Sequence, residues 1–415
     1  MTSLLSRDVL PVEVEAEHVG FDAGRLTRID RHLGRYVDDG RLPGFQVVVS
    51  RRGKRVHSST YGMRDIEAGL PVEPDTRWRI YSMTKPVTSV AAMTLYEEGA
   101  FSLNDEVGRY LPAFRDPRVY RGGPPDKPQS VPATEPMRLW HLLTHTSGLT
   151  YGFTRSSPVD EIYRLHDSDL LQPGGMDLAA LCDLWASLPL LFEPGSGWNY
   201  SVSVDVLGRV LEVITGKPLD AVLAERVLRP LGMNDTGWSV DPSEGHRLAA
   251  LYTPGPTGRA VRHDALGDEA LRPPQWLSGG GGLVSTAHDY DRFTRMLLHA
   301  GELDGVRILS PRTLQFMTRN HLPGGALLTS LARGQFAETA YDGMGFGLGF
   351  ATLVDPVAYK VAASPGEFTW GGVASTAFWV DPQEEITAAF YTQLIPSSSY
   401  ALRTELRQLV YSALV

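Results

Sequence analysis

The two β-rich parts of this chain lie near its opposite ends, and a helical middle separates them. Residues 44–50 have the continuous apolar run of a buried strand, and a short turn leads into a second strand over 55–62. Far along the chain, β-branched and aromatic residues predict three further strands, at 345–353, 374–381 and 386–393. We therefore expect the late strands to pair with the first hairpin in one antiparallel sheet.

Helical periodicity describes much of the remaining chain. Apolar residues recur at helical spacing in five segments, at 20–40, 177–188, 200–216, 219–231 and 401–414. Residues 112–136 contain seven prolines without any period, so a long loop is expected there. These patterns predict an α+β fold, an antiparallel β-sheet flanked by helices with an inserted, mostly helical lobe. The predicted sheet lobe is discontinuous, at 1–103 and 276–415, and the helical lobe covers 104–275.

Composition narrows the possible partners. The net charge of −9 and the pI near 5.7 argue against nucleic acid or an anionic membrane as a partner. No run approaches the roughly 18 apolar residues of a membrane span. Residues 1–8 lack the long apolar segment of a secretory signal, so a cytoplasmic protein is expected. The single cysteine, Cys182, excludes an intramolecular disulfide, and its apolar surroundings predict a buried thiol. The sequence does not indicate an oligomeric state.

Ser82 and Lys85 form the only Ser-x-x-Lys sequence of the chain, where a helix is predicted to begin. A lysine three residues after a serine lies on the same helical face and can act as the base that activates the hydroxyl. The helix dipole is expected to lower the pKa of Lys85, and free N–H groups at the helix start are candidate oxyanion donors. One such motif can also arise by chance, and the alternative is that Ser82 is a plain N-cap residue.

Acyl transfer from this serine also needs a proton donor for the leaving group and oxyanion donors. Tyr200 follows a turn-rich loop and precedes a predicted helix, so its phenol can project into a cleft. Its pKa is expected to fall beside a lysine ammonium, which suits a proton shuttle; the alternative is an ordinary core tyrosine. Trp370, Gly371, Gly372 and Val373 precede a predicted strand, and paired glycines let a backbone N–H approach a substrate closely. The alternative for this segment is a β-turn beside a packed tryptophan.

Three other patterns indicate structure rather than chemistry. His141 and His145 have helical spacing but do not form His-Glu-x-x-His, so structural hydrogen bonding is expected rather than a zinc site. The four glycines at 279–282 are not followed by Gly-Lys-Ser/Thr, so they do not form a phosphate loop. No serine lies in Gly-x-Ser-x-Gly, the nucleophile elbow of α/β-hydrolases. No metal and no cofactor are therefore expected.

The joint occurrence of three motifs resembles a known family. Ser82-x-x-Lys85, Tyr200-Ser201 and Trp370-Gly371-Gly372, in this order, are similar to the serine β-lactamase and penicillin-recognising group of class C type. More narrowly, the chain resembles the family VIII carboxylesterases, and residues 141–149 and 279–286 match segments typical of that group.

This resemblance implies a fold of two lobes with the active site between them. It implies Ser82 as the nucleophile, with Lys85 and Tyr200 as the base and acid system. It also implies that the N–H groups of Ser82 and Val373 are the oxyanion donors. Trp370 stands where β-lactamases carry the lysine of Lys-Thr-Gly.

Two departures from the β-lactamase pattern bear on the substrate. Tyr200 is followed by Ser201 and Val202, whereas β-lactamases of this type usually have Tyr-x-Asn. Trp370 cannot pair with the carboxylate of a β-lactam. Because the loss of a polar partner can change specificity by orders of magnitude, both departures favour neutral esters over penicillins. The expected function is a serine carboxylesterase that hydrolyses small, short-acyl esters. The alternatives are an acyltransferase, a β-lactamase or an amide or peptide hydrolase with the same nucleophile, and a penicillin-binding sensor-like protein without turnover.

Overall fold

The structure is a computed structural model that describes residues 10–166, 175–333 and 341–415. The expectation about a secretory signal, which rested on residues 1–8, lies outside the described residues. Among the helices of these three ranges, none combines the length and the apolar character that a membrane crossing requires. A cytoplasmic location stays a prediction from the sequence.

The strands, in chain order, are β1 (Gly44–Arg51), β2 (Lys54–Asp65), β3 (Leu70–Pro71), β4 (Arg77–Arg79), β5 (Arg118–Gly122), β6 (Gln129–Pro132), β7 (Tyr252–Pro254), β8 (Ala260–Arg262), β9 (Val284–Thr286), β10 (Glu302–Leu303), β11 (Val306–Arg307), β12 (Met344–Phe346), β13 (Ala351–Leu353), β14 (Phe368–Gly371), β15 (Ala377–Asp381) and β16 (Ile386–Tyr391). The α-helices are α1 (Ala23–Asp38), α2 (Thr84–Glu97), α3 (Val107–Tyr110), α4 (Leu139–Leu143), α5 (Pro158–Leu165), α6 (Leu178–Ser187), α7 (Ser203–Thr215), α8 (Leu219–Leu223), α9 (Asp264–Gly267), α10 (Ala287–Leu298), α11 (Pro311–Met317), α12 (Leu328–Leu331), α13 (Pro356–Tyr359) and α14 (Leu402–Tyr411).

Eight strands form the central sheet, in the order β12-β13-β14-β15-β16-β1-β2-β3. Every neighbouring pair in this sheet runs antiparallel. β16 lies directly beside β1, with Val47 opposite Phe390, so the last strands of the chain join the first hairpin. The predicted α+β fold, an antiparallel sheet flanked by helices, is confirmed.

Helices cover both faces of the sheet. Val47 and Val49 belong to the same buried cluster as Ile29 of α1 and Leu406 of α14. Val48, between them, belongs to the second cluster, which includes the buried residues of α2 and α10. Because alternate residues of a strand point to opposite faces, a strand buried on both sides needs apolar residues throughout. This is why the first strand has an apolar run instead of an alternating pattern.

The other predicted elements mostly occur where expected. Helices α1, α6, α7 and α14 lie within the segments predicted for them, and the predicted helix at 219–231 is α8 followed by a π-helical turn, Ala224–Leu228. All strands of the central sheet lie within 1–103 and 276–415. The exact boundaries of the two lobes stay a prediction.

Two predictions of local structure are wrong. Residues 112–136 are not one loop, because β5 and β6 pair as a hairpin, with Val119 opposite Val131. One proline of the segment, Pro132, stands at the end of this hairpin, where a missing N–H costs little. The single strand predicted at 345–353 is two strands, β12 and β13, because Gly349 has a φ of +92° in the turn between them.

Candidate active site

Ser82 lies on a 3-10 turn, Tyr81–Met83, that leads directly into α2. Tyr81 has a φ of +42°, in the left-handed region that larger residues adopt only under local strain. The N-cap position of α2 is Met83, and no side chain caps the helix there, so the interpretation of Ser82 as an N-cap residue is wrong. Ser82 instead lines a cavity.

Lys85, in the first turn of α2, is buried, with 1% of its surface exposed. Its Nζ donates a hydrogen bond to the Gly280 carbonyl oxygen at 2.7 Å and another to Ser82 Oγ at 3.3 Å. Burial lowers the pKa of Lys85 to about 7, while the Asp205 carboxylate acts in the opposite direction. The predicted direction of this shift is confirmed, but its cause is burial and not the helix dipole.

Tyr200 lies just before α7 and is also buried, with 2% of its surface exposed. The centre of its ring is 4.4 Å from Lys85 Nζ and 5.3 Å from the centre of the Trp370 ring. Burial raises the pKa of Tyr200, and hydrogen bonds with Ser82 and Trp370 oppose this only in part. The predicted fall of the Tyr200 pKa is therefore wrong, because burial disfavours the charged phenolate.

Residues 370–373, at the end of β14, lie against the backbone of the Ser82 turn. A Cβ atom at Gly372 would lie 2.5 Å from the Ile80 carbonyl oxygen, so only glycine permits this close approach. Val373 lines the same cavity as Ser82. Within the three described ranges, no backbone carbonyl accepts a hydrogen bond from the Val373 N–H. The structure thus brings this segment to Ser82, and the role of its N–H as an oxyanion donor stays a prediction.

Asp205, a fully buried residue of α7, was not among the residues predicted from the sequence. Its Oδ1 accepts hydrogen bonds from the Ser278 hydroxyl at 2.6 Å and from the Gly280 N–H at 2.9 Å. The available signal was an acidic residue between Val204 and Val206, in the apolar first half of the helix. A buried carboxylate of this kind needs hydrogen-bond donors or a cation nearby, which marks it as a candidate site residue.

The two histidines singled out in the sequence have structural hydrogen bonds, as predicted. His145 Nδ1 lies 3.1 Å from Ser201 Oγ, and His141 Nδ1 accepts from the Arg138 N–H at 3.1 Å. Burial lowers the pKa of His141 to about 4 and that of His145 well below its usual value. Across the described residues, no group of three or more His, Cys, Asp or Glu side chains could hold a metal ion. Cys182 is buried, as predicted.

The cavity at Ser82 has a volume of about 1290 Å³. Aromatic side chains form a large part of its lining, namely Tyr81, Tyr151, Phe153, Trp238 and Trp276. Charged side chains also line it, namely Arg79, Arg272, Asp264, Asp268 and Glu269. Typical sites for small molecules have volumes of about 300–1,000 Å³, so this cavity has room for more than a short ester.

A serine beside a buried lysine at the start of a helix, flanked by an antiparallel sheet and faced by a tyrosine, defines the serine enzymes of the β-lactamase fold. The Beta-lactamase family model matches residues 29–412. The chain belongs to the beta-lactamase family.

The chain is similar over most of its length to two curated proteins and one solved structure. Protein Rv1367c of Mycobacterium tuberculosis (strain ATCC 25618 / H37Rv) is 38% identical over 367 residues, which cover 87% of this chain and 88% of the relative. Esterase EstB of Burkholderia gladioli is 32% identical over 413 residues, which cover 94% and 96%. The solved structure of EstCE1, a hydrolase with promiscuous acyltransferase activity, superposes with a TM-score of 0.77 at 29% identity, covering 94% of this chain and 98% of that one. The chain is thus a member of the serine β-lactamase superfamily with esterase relatives.

Proposed function

We propose that this protein is a serine carboxylesterase that hydrolyses small, short-acyl esters through an acyl-enzyme on Ser82. One observation carries the proposal. A buried amine with a pKa of about 7 lies 3.3 Å from the Ser82 hydroxyl, which lines a cavity. An amine with such a pKa is largely neutral at physiological pH and can accept a proton from the serine. The similarity to Esterase EstB and the resemblance to family VIII carboxylesterases support the ester as the substrate.

The proposed first step forms the acyl-enzyme. Ser82 Oγ attacks the ester carbonyl carbon while its proton moves to Lys85 Nζ, and the carbonyl π electrons move to the oxygen. The N–H groups of Ser82 and Val373 stabilise the resulting oxyanion. Because burial raises the pKa of Tyr200, its phenol is protonated and can donate a proton to the departing alcohol oxygen. Lys85 then returns a proton to Tyr200, and water hydrolyses the acyl-enzyme by the reverse sequence.

The absence of a cation at Trp370 supports a neutral substrate. The Trp370 ring packs 5.3 Å from the Tyr200 ring, so an apolar surface stands where a β-lactamase has its Lys-Thr-Gly lysine. An anionic substrate would lose a charged partner at this position, whereas a neutral ester needs none.

The decisive experiment is single-turnover kinetics with p-nitrophenyl acetate and butyrate. The protein should release a burst of p-nitrophenol equal to the enzyme concentration, followed by slower steady-state turnover. Ser82→Ala should lose both phases, whereas the matched control Ser187→Ala, at an exposed serine of α6, should retain both. Full turnover by Ser82→Ala would overturn the proposal.

Acyl transfer is the second candidate function. EstCE1 is a hydrolase with promiscuous acyltransferase activity, and a cavity of about 1290 Å³ can hold an acceptor alcohol next to the acyl group. Product analysis after addition of a primary alcohol would distinguish the two, because a transferase yields the new ester in preference to the free acid. Nitrocefin turnover faster than ester turnover would instead indicate a β-lactamase.

A further inference from the structure

The buried Asp205 carboxylate is tied to the turn at residues 278–280. Its Oδ1 accepts from the Ser278 hydroxyl and the Gly280 N–H, at 2.6 and 2.9 Å. The other polar group of Gly280, its carbonyl, accepts from Lys85 Nζ at 2.7 Å. One glycine therefore holds the carboxylate on one side and the amine on the other.

The packing of the turn explains why glycine occupies these positions. A Cβ atom at Gly280 would lie 2.5 Å from Asp205 Oδ2, so any larger residue would displace the carboxylate. A Cβ atom at Gly279 would lie 2.9 Å from the Val204 carbonyl oxygen, and the Gly279 carbonyl accepts from Thr88 at 2.8 Å. Gly279 and Gly280 thus allow the turn to pack closely between α7 and α2, which explains two glycines of a segment that does not form a phosphate loop.

The negative charge of Asp205 also acts to raise the pKa of Lys85, against the effect of burial. Two phenols and an imidazole face the amine as well: the Tyr151 ring is 5.3 Å away, the Tyr200 ring is 4.4 Å away, and His145 is close enough for the lysine charge to lower its pKa. Burial raises the pKa of Asp205, while the Lys85 charge and the bonds from Ser278 and Gly280 favour its ionised form. None of the other three groups carries a negative charge at neutral pH, because burial raises the pKa of both phenols.

We propose that Asp205 is a positioning residue for Lys85: it holds the Gly280 carbonyl to which the amine donates, and it supplies the negative charge beside which the amine takes up the serine proton. The inference rests on the proposed function for its catalytic meaning. During the attack the Ser82 proton moves to Lys85 Nζ, so an ammonium forms near the ionised carboxylate. Asp205 itself gains no proton in this step and touches no reacting atom.

The test is a titration of Lys85 in Asp205→Asn, because the amide preserves the shape and removes the charge. The chain has only five lysines, so 13C-labelled lysine gives few NMR signals, and Lys85→Arg identifies the one to follow. An opposite charge a few ångströms away changes a pKa by about 1–3 units. The Lys85 midpoint should therefore fall by about one pH unit in Asp205→Asn. Asp220→Asn, which removes an exposed charge on α8, should leave the midpoint unchanged.

An unchanged or higher midpoint in Asp205→Asn overturns the inference, wherever the wild-type midpoint lies. If Asp205→Asn fails to fold, Ser278→Ala provides the second variant. It removes one hydrogen bond that favours the ionised carboxylate, so the midpoint should move in the same direction by a smaller amount, and no movement would count against the proposal. These titrations use no substrate, so they remain decisive even if the esterase proposal fails.

A kinetic measurement connects the titration to catalysis. In Asp205→Asn the acid limb of kcat/KM should move to lower pH together with the Lys85 midpoint, and the plateau should fall by about tenfold because the amine is a weaker base. A purely structural role would lower activity without moving the limb, and that outcome would contradict the inference.

Discussion

Lys85→Met should make the protein inactive and, at neutral pH, more stable. Burial lowers the pKa of Lys85 from its usual 10.5 to about 7, a difference of about 3.5 pH units. At about 1.36 kcal/mol per unit, burying the charged amine costs roughly 5 kcal/mol below pH 7 and roughly 4 kcal/mol at pH 7. Methionine has a similar length and no charge, so it removes this cost. It also leaves the Gly280 carbonyl without its donor, which costs about 1–3 kcal/mol. A net stabilisation of roughly 1–3 kcal/mol at pH 7 is therefore expected.

The pH dependence makes this prediction specific. Between pH 7 and 10.5 the folded amine is neutral while the unfolded one is still charged, so stability of the parent protein rises with pH and the advantage of Lys85→Met shrinks. Urea unfolding followed by tryptophan fluorescence should give a difference about 2 kcal/mol smaller at pH 9 than at pH 7.5. Lys54→Met, at the exposed first residue of β2, is the control and should have no such slope. A destabilised Lys85→Met at pH 6, or a difference independent of pH, would refute the reasoning.

Three further outcomes are expected. First, kcat/KM for a neutral ester should fall about tenfold per pH unit below pH 7, because the base is the neutral amine of Lys85; a flat profile from pH 5 to 8 would contradict this. Second, Gly372→Ala should reduce kcat by at least about 100-fold with the fold retained by circular dichroism, because its Cβ would press on the Ile80 carbonyl and displace the oxyanion segment; activity within threefold of the parent would count against it. Third, Arg407→Leu should cost roughly 3–5 kcal/mol in urea unfolding, because it strands the buried Glu367 carboxylate that Arg407 bonds at 2.9 Å; a loss below about 1 kcal/mol would contradict this.

The sequence predicted the fold well where burial leaves a strong pattern. Val47, Val48 and Val49 are apolar in succession because both faces of β1 are covered. The sequence predicted that the late strands join the first hairpin, and the structure adds that β16 is the strand beside β1. The hairpin of β5 and β6 was missed because its strands are largely exposed and carry little periodicity. The division of 345–353 was missed because one glycine with positive φ decides it, and glycine alone does not reveal its φ.

Within the site, residues adjacent in sequence were easier to predict than those that meet through the fold. Ser82 and Lys85 are three residues apart, so helical geometry alone predicted their contact. Asp205 reaches Lys85 only through Gly280, 75 residues further along the chain, and no local pattern connects the three. An acidic residue in an apolar helix indicates a buried charge, but its partner becomes known only from the structure.

The direction of the Tyr200 pKa shift is the prediction whose failure matters most, because this direction decides which residue is the base and which is the acid. The prediction from the sequence rested on one neighbour, the Lys85 ammonium, which would lower the pKa of a phenol. Burial disfavours the charged form of each group, so it lowers the pKa of the amine and raises the pKa of the phenol. It lowers the pKa of the amine to about 7, so that a large share of the amine is neutral near that pH, and it keeps the phenol protonated. The burial that costs stability at Lys85 therefore leaves an amine that can accept a proton beside a phenol that can donate one. Within the proposed mechanism, the lysine is the base and the tyrosine is the acid.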